Sequence, residues 1–266
     1  MRMRRIFLFR LLLALLSLPL PLALGAQVQR TTLFGIGGAS VLDTYLTPFS
    51  YSGPSGSVSL TTERPAHWGG GHVSTMGHFS LRGAYTESPV SGAHIWDGEL
   101  NLAGGWHRNW HLCDGRLRLA AGGLMECFTG GSYGAVGGNN PGQARLGADV
   151  AASGIAAYRF SVKASPWEAA LRVDIPLLGL QFAQQYGESY YELFHLGHTD
   201  RNLRLTAPWN APSLRLQATL SLPVRHSRLT FGYGAEVRQS ALNGLRQHGW
   251  YNQFLIGFSR TISLLR

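Results

Sequence analysis

The stretch Arg228–Arg238, R-L-T-F-G-Y-G-A-E-V-R, puts Leu229, Phe231, Tyr233, Ala235 and Val237 on one parity and Arg228, Thr230, Gly232, Gly234, Glu236 and Arg238 on the other. A two-residue period is that of an extended strand, here with one apolar face and one charged face. The same alternation recurs along most of the chain. A sheet with hydrocarbon on one side and a polar lumen on the other requires it, and such a sheet must close so that no strand edge is left unpaired in lipid. The pattern therefore predicts an all-β fold, an antiparallel up-and-down transmembrane β-barrel.

Residues 1–26 read as a cleaved signal peptide. Arg2, Arg4 and Arg5 form a basic start, Ile6 to Leu18 an apolar run interrupted by Arg10, and Ala23, Gly25 and Ala26 are small residues suited to cleavage. Pro19 and Pro21 break the apolar run before it reaches the ~20 residues a spanning helix needs. No cysteine follows the cleavage region, so no lipoprotein anchor is expected. Residues 27–266 are read as one barrel domain in the bacterial outer membrane.

The formal charge is +9, but four of the arginines fall in the leader, so the remainder carries +5, with Lys163 its single lysine. So mild an excess predicts no nucleic-acid binding. It suits contact with anionic lipopolysaccharide, and arginines enclosed in a lumen would account for it equally well. Cys113 and Cys127 would sit at opposite ends of one strand, roughly 40 Å apart at ~3.3 Å per residue. A disulfide needs Cα atoms within about 7 Å, so two separate thiols are expected.

Ten strands are predicted, at 30–40, 55–64, 75–86, 94–107, 115–127, 145–163, 167–175, 213–222, 228–239 and 248–264. The connections alternate in length: 41–54, 87–93, 128–144, 176–212 and 240–247 are long, and 65–74, 108–114, 164–166 and 223–227 are short. Single-chain bacterial barrels have an even strand number, short periplasmic turns and longer outer loops, so the long set is assigned to the outside. Eight or twelve strands are the alternatives, twelve because 176–212 has room for a hairpin at 177–182 and 203–207. Tyr85, Trp96, Trp106, Tyr158, Trp167 and Trp250 fall towards strand ends, where aromatic girdles meet headgroups. A soluble β-sandwich would share the period with its faces reversed. Glycines inside strands, such as Gly232, Gly234 and Gly257, favour a curved, closed sheet.

Collected on one surface, the polar parity holds Arg82, Asp97, Glu99, Arg116, Arg118, Glu126, Arg145, Asp149, Arg159, Arg172, Asp174, Arg215, Arg228, Glu236 and Arg238. Eight strands leave space only for side chains and diameter grows with strand number, so ten enclose a narrow lumen. Charges confined there are expected to pair and to fill or nearly fill it. The alternative is a sieve for anionic solutes.

Three motifs invite chemistry. Gly130-Gly131-Ser132-Tyr133-Gly134 matches the nucleophile elbow, but that motif acts only on a strand-to-helix turn, and here it is expected in a glycine-rich outer loop. His195 and His198 lack a third ligand for a metal. Ser80, His78 and Glu99 form a permissible hydrolase set at a lipid rim. In the outer loops, Asp43, Thr44 and Tyr45 could bind a sugar or headgroup, although an Asx turn with an anchoring tyrosine is the simpler reading. Tyr186, Tyr190 and Tyr191 are either a ligand-facing patch or a loop packed on its own barrel.

Phe34-Gly35-Ile36-Gly37 followed by Val41-Leu42-Asp43-Thr44-Tyr45-Leu46-Thr47-Pro48 resembles the opening of a family of small Bacteroidetes outer-membrane barrels known only as a domain of unknown function. Asp174 to Gly179 running into Tyr186 to Glu192, Gly232-Tyr233 with Arg238-Gln239-Ser240, and Ile256-Gly257-Phe258 are similar to it as well. The resemblance implies an exported barrel and carries over no functional residue, substrate or cofactor. One departure from outer-membrane barrels in general is the end of the chain, Leu264-Leu265-Arg266, where many finish on an aromatic residue read by the assembly machinery; Phe258, Ile262 and Leu264 would serve in its place.

The expected function is a structural or interaction-bearing outer-membrane protein acting through its outer loops. A narrow pore for small anionic solutes and an outer-membrane lipid-modifying hydrolase are the alternatives. No catalytic, cofactor-binding or metal-binding residue is assigned. The expected partners are outer-membrane lipid, lipopolysaccharide and the barrel-assembly machinery, with no protein partner named. A detergent-extracted barrel should migrate differently in electrophoresis before and after boiling, and release by osmotic shock without such a shift would contradict the barrel.

Overall fold

The computed structural model describes residues 27–134, 141–196 and 202–263. The leader, His198, the loop glycines 137 and 138, and Leu264 lie outside the described residues. Eleven strands follow in order: β1 (Gln27–Asp43), β2 (Tyr51–Pro65), β3 (Val73–Glu87), β4 (His94–Leu112), β5 (Leu117–Gly134), β6 (Gly142–Val162), β7 (Ser165–Phe182), a short helix α1 (Tyr190–Phe194), β8 (Leu203–Thr206), β9 (Ser213–Val224), β10 (Ser227–Leu242) and β11 (Leu245–Ser263). Strands that follow one another in sequence pair antiparallel, except that β8 and β9 both pair with β7; β1 with β11 and β7 with β9 complete the circuit, and the ring is a closed ten-stranded barrel.

Nine of the ten wall strands run 15–21 residues, past the ~9–11 needed to cross hydrocarbon. Much of what the sequence assigned to loops is therefore wall. Gly130 to Gly134 is the clearest correction: it ends β5 as strand, with no helix after it.

The apolar parity faces outward. Ile36, Met125 and Phe254 are more than 70% exposed, and Phe34, Leu102, Leu146, Val150, Ile256 and Phe258 about half. Arg82, Asp97, Glu99, Glu126, Arg145, Arg172 and Asp174 of the other parity turn inward and are buried. That is the arrangement a lipid solvent dictates, with core and surface reversed relative to a sandwich. Tyr85 packs on Trp96 near the outer end of the wall. Trp68 with Trp106, and Tyr158 with Phe160 and Trp167, cluster near the other end. The wall thus carries two aromatic girdles with an apolar band between them, as an outer-membrane barrel does.

Two irregularities lie in the region where the sequence left twelve strands open. Val150 pairs with Leu178 and Ala151 with Pro176, so Leu177 has no partner and β7 carries a bulge beside a proline that cannot donate to the ladder. The extra residue flips the parity: Leu171, Val173 and Ile175 point out before it, and Leu178 and Leu180 after it. The hairpin at 177–182 and 203–207 also forms, but inside the existing wall. Gly179 pairs with Thr206 and Asp174 with Arg215, so β8 and β9 lie in line along one edge of β7, separated by the excursion 207–212. The amides of Gln239 and Ala241 on β10 donate to the carbonyls of Pro212 and Asn210, which holds the excursion to the wall. The strand number stays ten.

The two thiols are free: Cys113 is exposed in the β4–β5 turn and Cys127 on the lipid face of β5. Two of the three glycines read as signs of curvature have a backbone reason. A Cβ on Gly257 would collide with the carbonyl of Thr32, and one on Gly232 with that of Ala218, whereas one on Gly234 would meet only the Leu255 side chain, at 3.3 Å. Gly257→Ala should therefore destabilise the barrel by about 1–3 kcal/mol through overpacking against main chain, and Gly234→Ala by clearly less. Denaturant unfolding in lipid vesicles, followed by tryptophan fluorescence, gives the comparison; equal midpoints would contradict the close approach.

Candidate functional site: a charged lumen beneath an outer cap

Inward-facing charges meet across the barrel in successive layers. Towards the outer mouth, Arg145 on β6 pairs with Asp97 on β4, which also accepts from Ser132 at 2.8 Å and from the Tyr251 hydroxyl of β11. Next, Arg82 on β3 lies 3.2 Å from Glu99 and pairs with Glu236 on β10, its guanidinium stacked 4.3 Å from the Tyr251 ring centre. Arg238 on β10 reaches Glu99 on β4 at 3.4 Å, is 4.0 Å from Asp149, and stacks on Phe128 at 3.9 Å. Then Arg215 on β9 grips Glu126 on β5 with two parallel bonds of 3.0 and 3.1 Å and also reaches Asp174 at 3.2 Å. Asp174 is held in turn by Arg172 at 2.7 Å and Ser153 at 2.6 Å. Towards the other end, Arg118 clamps Glu63, which accepts from Ser74 at 2.9 Å.

β4 and β10 lie on opposite sides of the ring, five neighbours apart by either route. A direct ion pair between them leaves no room for solvent along that diameter. Exposure agrees: the side chains of Glu126, Asp97, Asp174 and Glu99 are 0–2% exposed and that of Arg238 13%. Removing such charges from water is costly, and only mutual pairing with added hydrogen bonds offsets it. Fork-to-fork geometry at Arg215 and Glu126, and cation–π stacking at Arg82 and Arg238, are the forms in which guanidinium does this well.

Three of the expected lumen residues are placed elsewhere. Arg116 sits exposed in the β4–β5 turn, because β5 begins at Leu117. Arg159 lies beyond the lumen near the end of β6, 66% exposed and paired with Glu168 at 2.9 Å. Arg228 donates to the carbonyls of Pro166 and Ser221 rather than to a carboxylate. Conversely, the structure brings into the network Glu63, Ser153 and Tyr251, which were not among the expected lumen residues, and His78 and Ser132, which the sequence raised only as candidates for chemistry. Charge on the inward parity of β2 was the available signal for Glu63; for the other four, parity was the only signal.

The hydrolase set does not assemble. Nδ1 of His78 lies 2.9 Å from the Thr61 hydroxyl and 3.3 Å from Arg172, while Glu99 is taken up by arginines. Ser132 of the elbow-like motif is bound between Asp97 and Arg145, which leaves it no base. Among the described residues no group of three or more His, Cys, Asp or Glu is arranged to hold a metal. His195 stacks on Tyr191 instead.

Over the mouth lies the segment 183–196, including α1, whose N-terminus is closed by a capping box between Ser189 and Glu192. Tyr45 donates to the carbonyl of Glu188 at 2.8 Å, Tyr190 accepts from the Ala144 amide, and Asn243 donates to the carbonyl of Ala183 at 2.8 Å. These anchors lie on the β1–β2 loop, on β6 and at the β10–β11 turn, so the segment spans the opening. Burial raises the pKa of the Tyr45 hydroxyl, which keeps it a donor. Of the loop candidates, Asp43 is fully buried and forms the Asx turn, accepting from the Tyr45 amide at 3.1 Å. Thr44 accepts from the Arg246 amide at 2.8 Å. Tyr45 and Tyr190 hold the cap, and Tyr186 and Tyr191 project from it, 80% and 61% exposed.

Removing one partner of a buried pair costs about 3–5 kcal/mol, because the other charge is stranded. Arg215→Met should reach that range, since Glu126 loses both bonds. Glu126→Gln should cost less, because Arg215 keeps Asp174. The double variant should recover part of the loss. A double-mutant cycle on unfolding in vesicles measures this, and strict additivity would contradict the pairing.

No curated protein matches the chain. Among solved structures it is similar to the transport unit of the autotransporter AIDA-I from Escherichia coli, at 9% identity and a TM-score of 0.47, covering 92% of this chain and 94% of that one. It is also similar to the outer membrane protease OmpT from Escherichia coli, at 7% identity and a TM-score of 0.46, covering 90% and 96%, and to the beta domain of the Bordetella autotransporter BrkA, at 12% identity and a TM-score of 0.44, covering 90% and 100%. The sequence profile of a family described as protein of unknown function, DUF3316, matches residues 20–266, and the chain belongs to that family.

Proposed function

We propose that this protein is a closed outer-membrane barrel with a structural or interaction-bearing role, exercised from its outer surface and not through its lumen. The observation that carries the reading is the ion pair between Arg238 and Glu99, 3.4 Å long between diametrically opposed strands. A solute would have to break it together with the buried pairs above and below. An anion sieve has a second difficulty. Six arginines in the lumen (82, 118, 145, 172, 215 and 238) face seven carboxylates (63, 97, 99, 126, 149, 174 and 236), so there is no positive excess to select anions. The hydrolase reading draws no support from the positions of Ser80, His78 and Ser132, and the proposal assigns no catalysis.

What remains available to a partner is the outer end. Tyr186, Tyr191 and Trp209 are exposed there on a cap and an excursion fixed by hydrogen bonds. Rigid, exposed aromatic rings are favoured anchors in interfaces, and lipopolysaccharide or a protein ligand would meet them first. Phe258 and Ile262 lie exposed on the lipid side of β11, where the assembly machinery would read them.

Planar-bilayer recording tests the closed lumen. The wild-type protein should give no steady conductance. The double variant Arg238→Ala with Glu99→Ala, which removes the crossing pair, should conduct measurably more. A steady, anion-selective wild-type current that is lost in Arg172→Ala would favour the pore instead.

A further inference from the structure

On the lipid face of β6, β7, β9 and β10, alanines are interspersed among larger side chains in two successive cross-strand rows. One row runs Tyr158, Ala169, Leu220, Phe231, and the next Ala156, Leu171, Ala218, Tyr233. The alanines leave a shallow groove of about 550 Å³ lined almost wholly by apolar atoms. Lying on the lipid face, it opens onto hydrocarbon.

Towards the periplasmic rim the same surface changes character in the order in which a phospholipid changes from tail to head. Phe160 and Trp167 pack against each other at a tilt next to the groove, with ring centres 6.4 Å apart. Beyond them, three consecutive turns (β4–β5, β6–β7 and β9–β10) each carry an exposed cation: Arg116, the single lysine Lys163, and Arg225. Asp114 is the one exposed acid in those turns, and Glu168 nearby is already paired with Arg159. Lys163 lies five residues beyond Tyr158, the girdle tyrosine at the rim end of the groove: about 16 Å along the strand at ~3.3 Å per residue, and about 12 Å along the membrane normal at the ~35–45° tilt of such strands. The cations therefore stand on the headgroup side of the girdle, with the groove on its hydrocarbon side.

We propose that this face holds an anionic phospholipid of the periplasmic leaflet, one acyl chain in the groove and its phosphate among Arg116, Lys163 and Arg225. The excess of positive charge sets the headgroup class, and the groove makes the contact a site instead of a general attraction to the leaflet.

The test uses protein extracted from outer membranes in a neutral detergent. Phosphatidylglycerol and phosphatidylcholine are titrated separately, and bound lipid is counted by native mass spectrometry. The wild type should retain phosphatidylglycerol at clearly lower concentration than phosphatidylcholine. Each cation beside an anionic lipid contributes a factor of about five, so Arg225→Gln should weaken phosphatidylglycerol binding by about that much. The triple variant Arg116→Gln, Lys163→Gln, Arg225→Gln should abolish the preference. Ala169→Leu with Ala218→Leu should weaken both lipids while retaining the preference. Heat-dependent electrophoretic migration confirms that each variant is folded, and Arg225→Gln alone decides if the triple variant is not. Equal retention of the two lipids by the wild type, or an unchanged preference in Arg225→Gln, would overturn the proposal. So would a dimer that Ala218→Leu dissociates without changing lipid retention, since the groove would then belong to a second copy.

Discussion

Hydrocarbon offers a peptide group nothing to bond with, and every other feature of this chain follows from meeting that condition with strands. A sheet satisfies its own N–H and C=O groups only where each strand has two neighbours, so the wall must close. Seventeen residues of β1 pair with β11 over their full length, joining the two ends of a chain otherwise built from sequential hairpins. Closure also explains the bulge at Leu177 and the collinear β8 and β9. Both are ways of absorbing irregular sequence without opening a gap in the ladder, and the excursion 207–212 stays bonded to β10 for the same reason.

Once the wall is closed at ten strands, the lumen becomes the place where charge is difficult to keep. It is too narrow for much water, yet the inward parity carries guanidinium and carboxylate groups at nearly every level. Pairing across the diameter resolves this, and it makes the interior a bracing network. Strands remote in the ring, such as β4 and β10 or β5 and β9, are tied directly through side chains. The cap adds a further tie above the mouth. A barrel braced in this way holds its loops and its lipid wall on a rigid base.

Much of the architecture was legible residue by residue. Phe231, Tyr233 and Val237 against Thr230, Glu236 and Arg238 gave β10 and its facing, and similar runs gave the other nine wall strands. The limits of strands were read too short wherever small residues interrupt the alternation, as in Gly130 to Gly134. Glycine and serine have no apolar side chain to display on the lipid face, so a period cannot be seen in them even when the backbone is fully extended. Past Asp174 the run Ile175-Pro176-Leu177-Leu178 has no period to read, because a bulge changes the parity in its middle. The candidate site was half legible. Arg82, Arg145 and Arg215 were assigned inward from their parity, while Arg116 was misplaced because β5 begins two residues later, at Leu117 instead of Gly115, which moves that side chain from lumen to turn.

Sequence alone determined which side chains face lipid and which face inward, that the sheet closes, and roughly how many strands close it. Those outcomes depend on local period and on the solvent, both written along the chain. The tertiary structure decided which charges meet. Arg238 and Glu99 are 139 positions apart along the chain, and Arg215 and Glu126 89, and only the stagger of the closed wall sets each pair at one level. No local pattern encodes that height, because it is the sum of every register from one strand to the other.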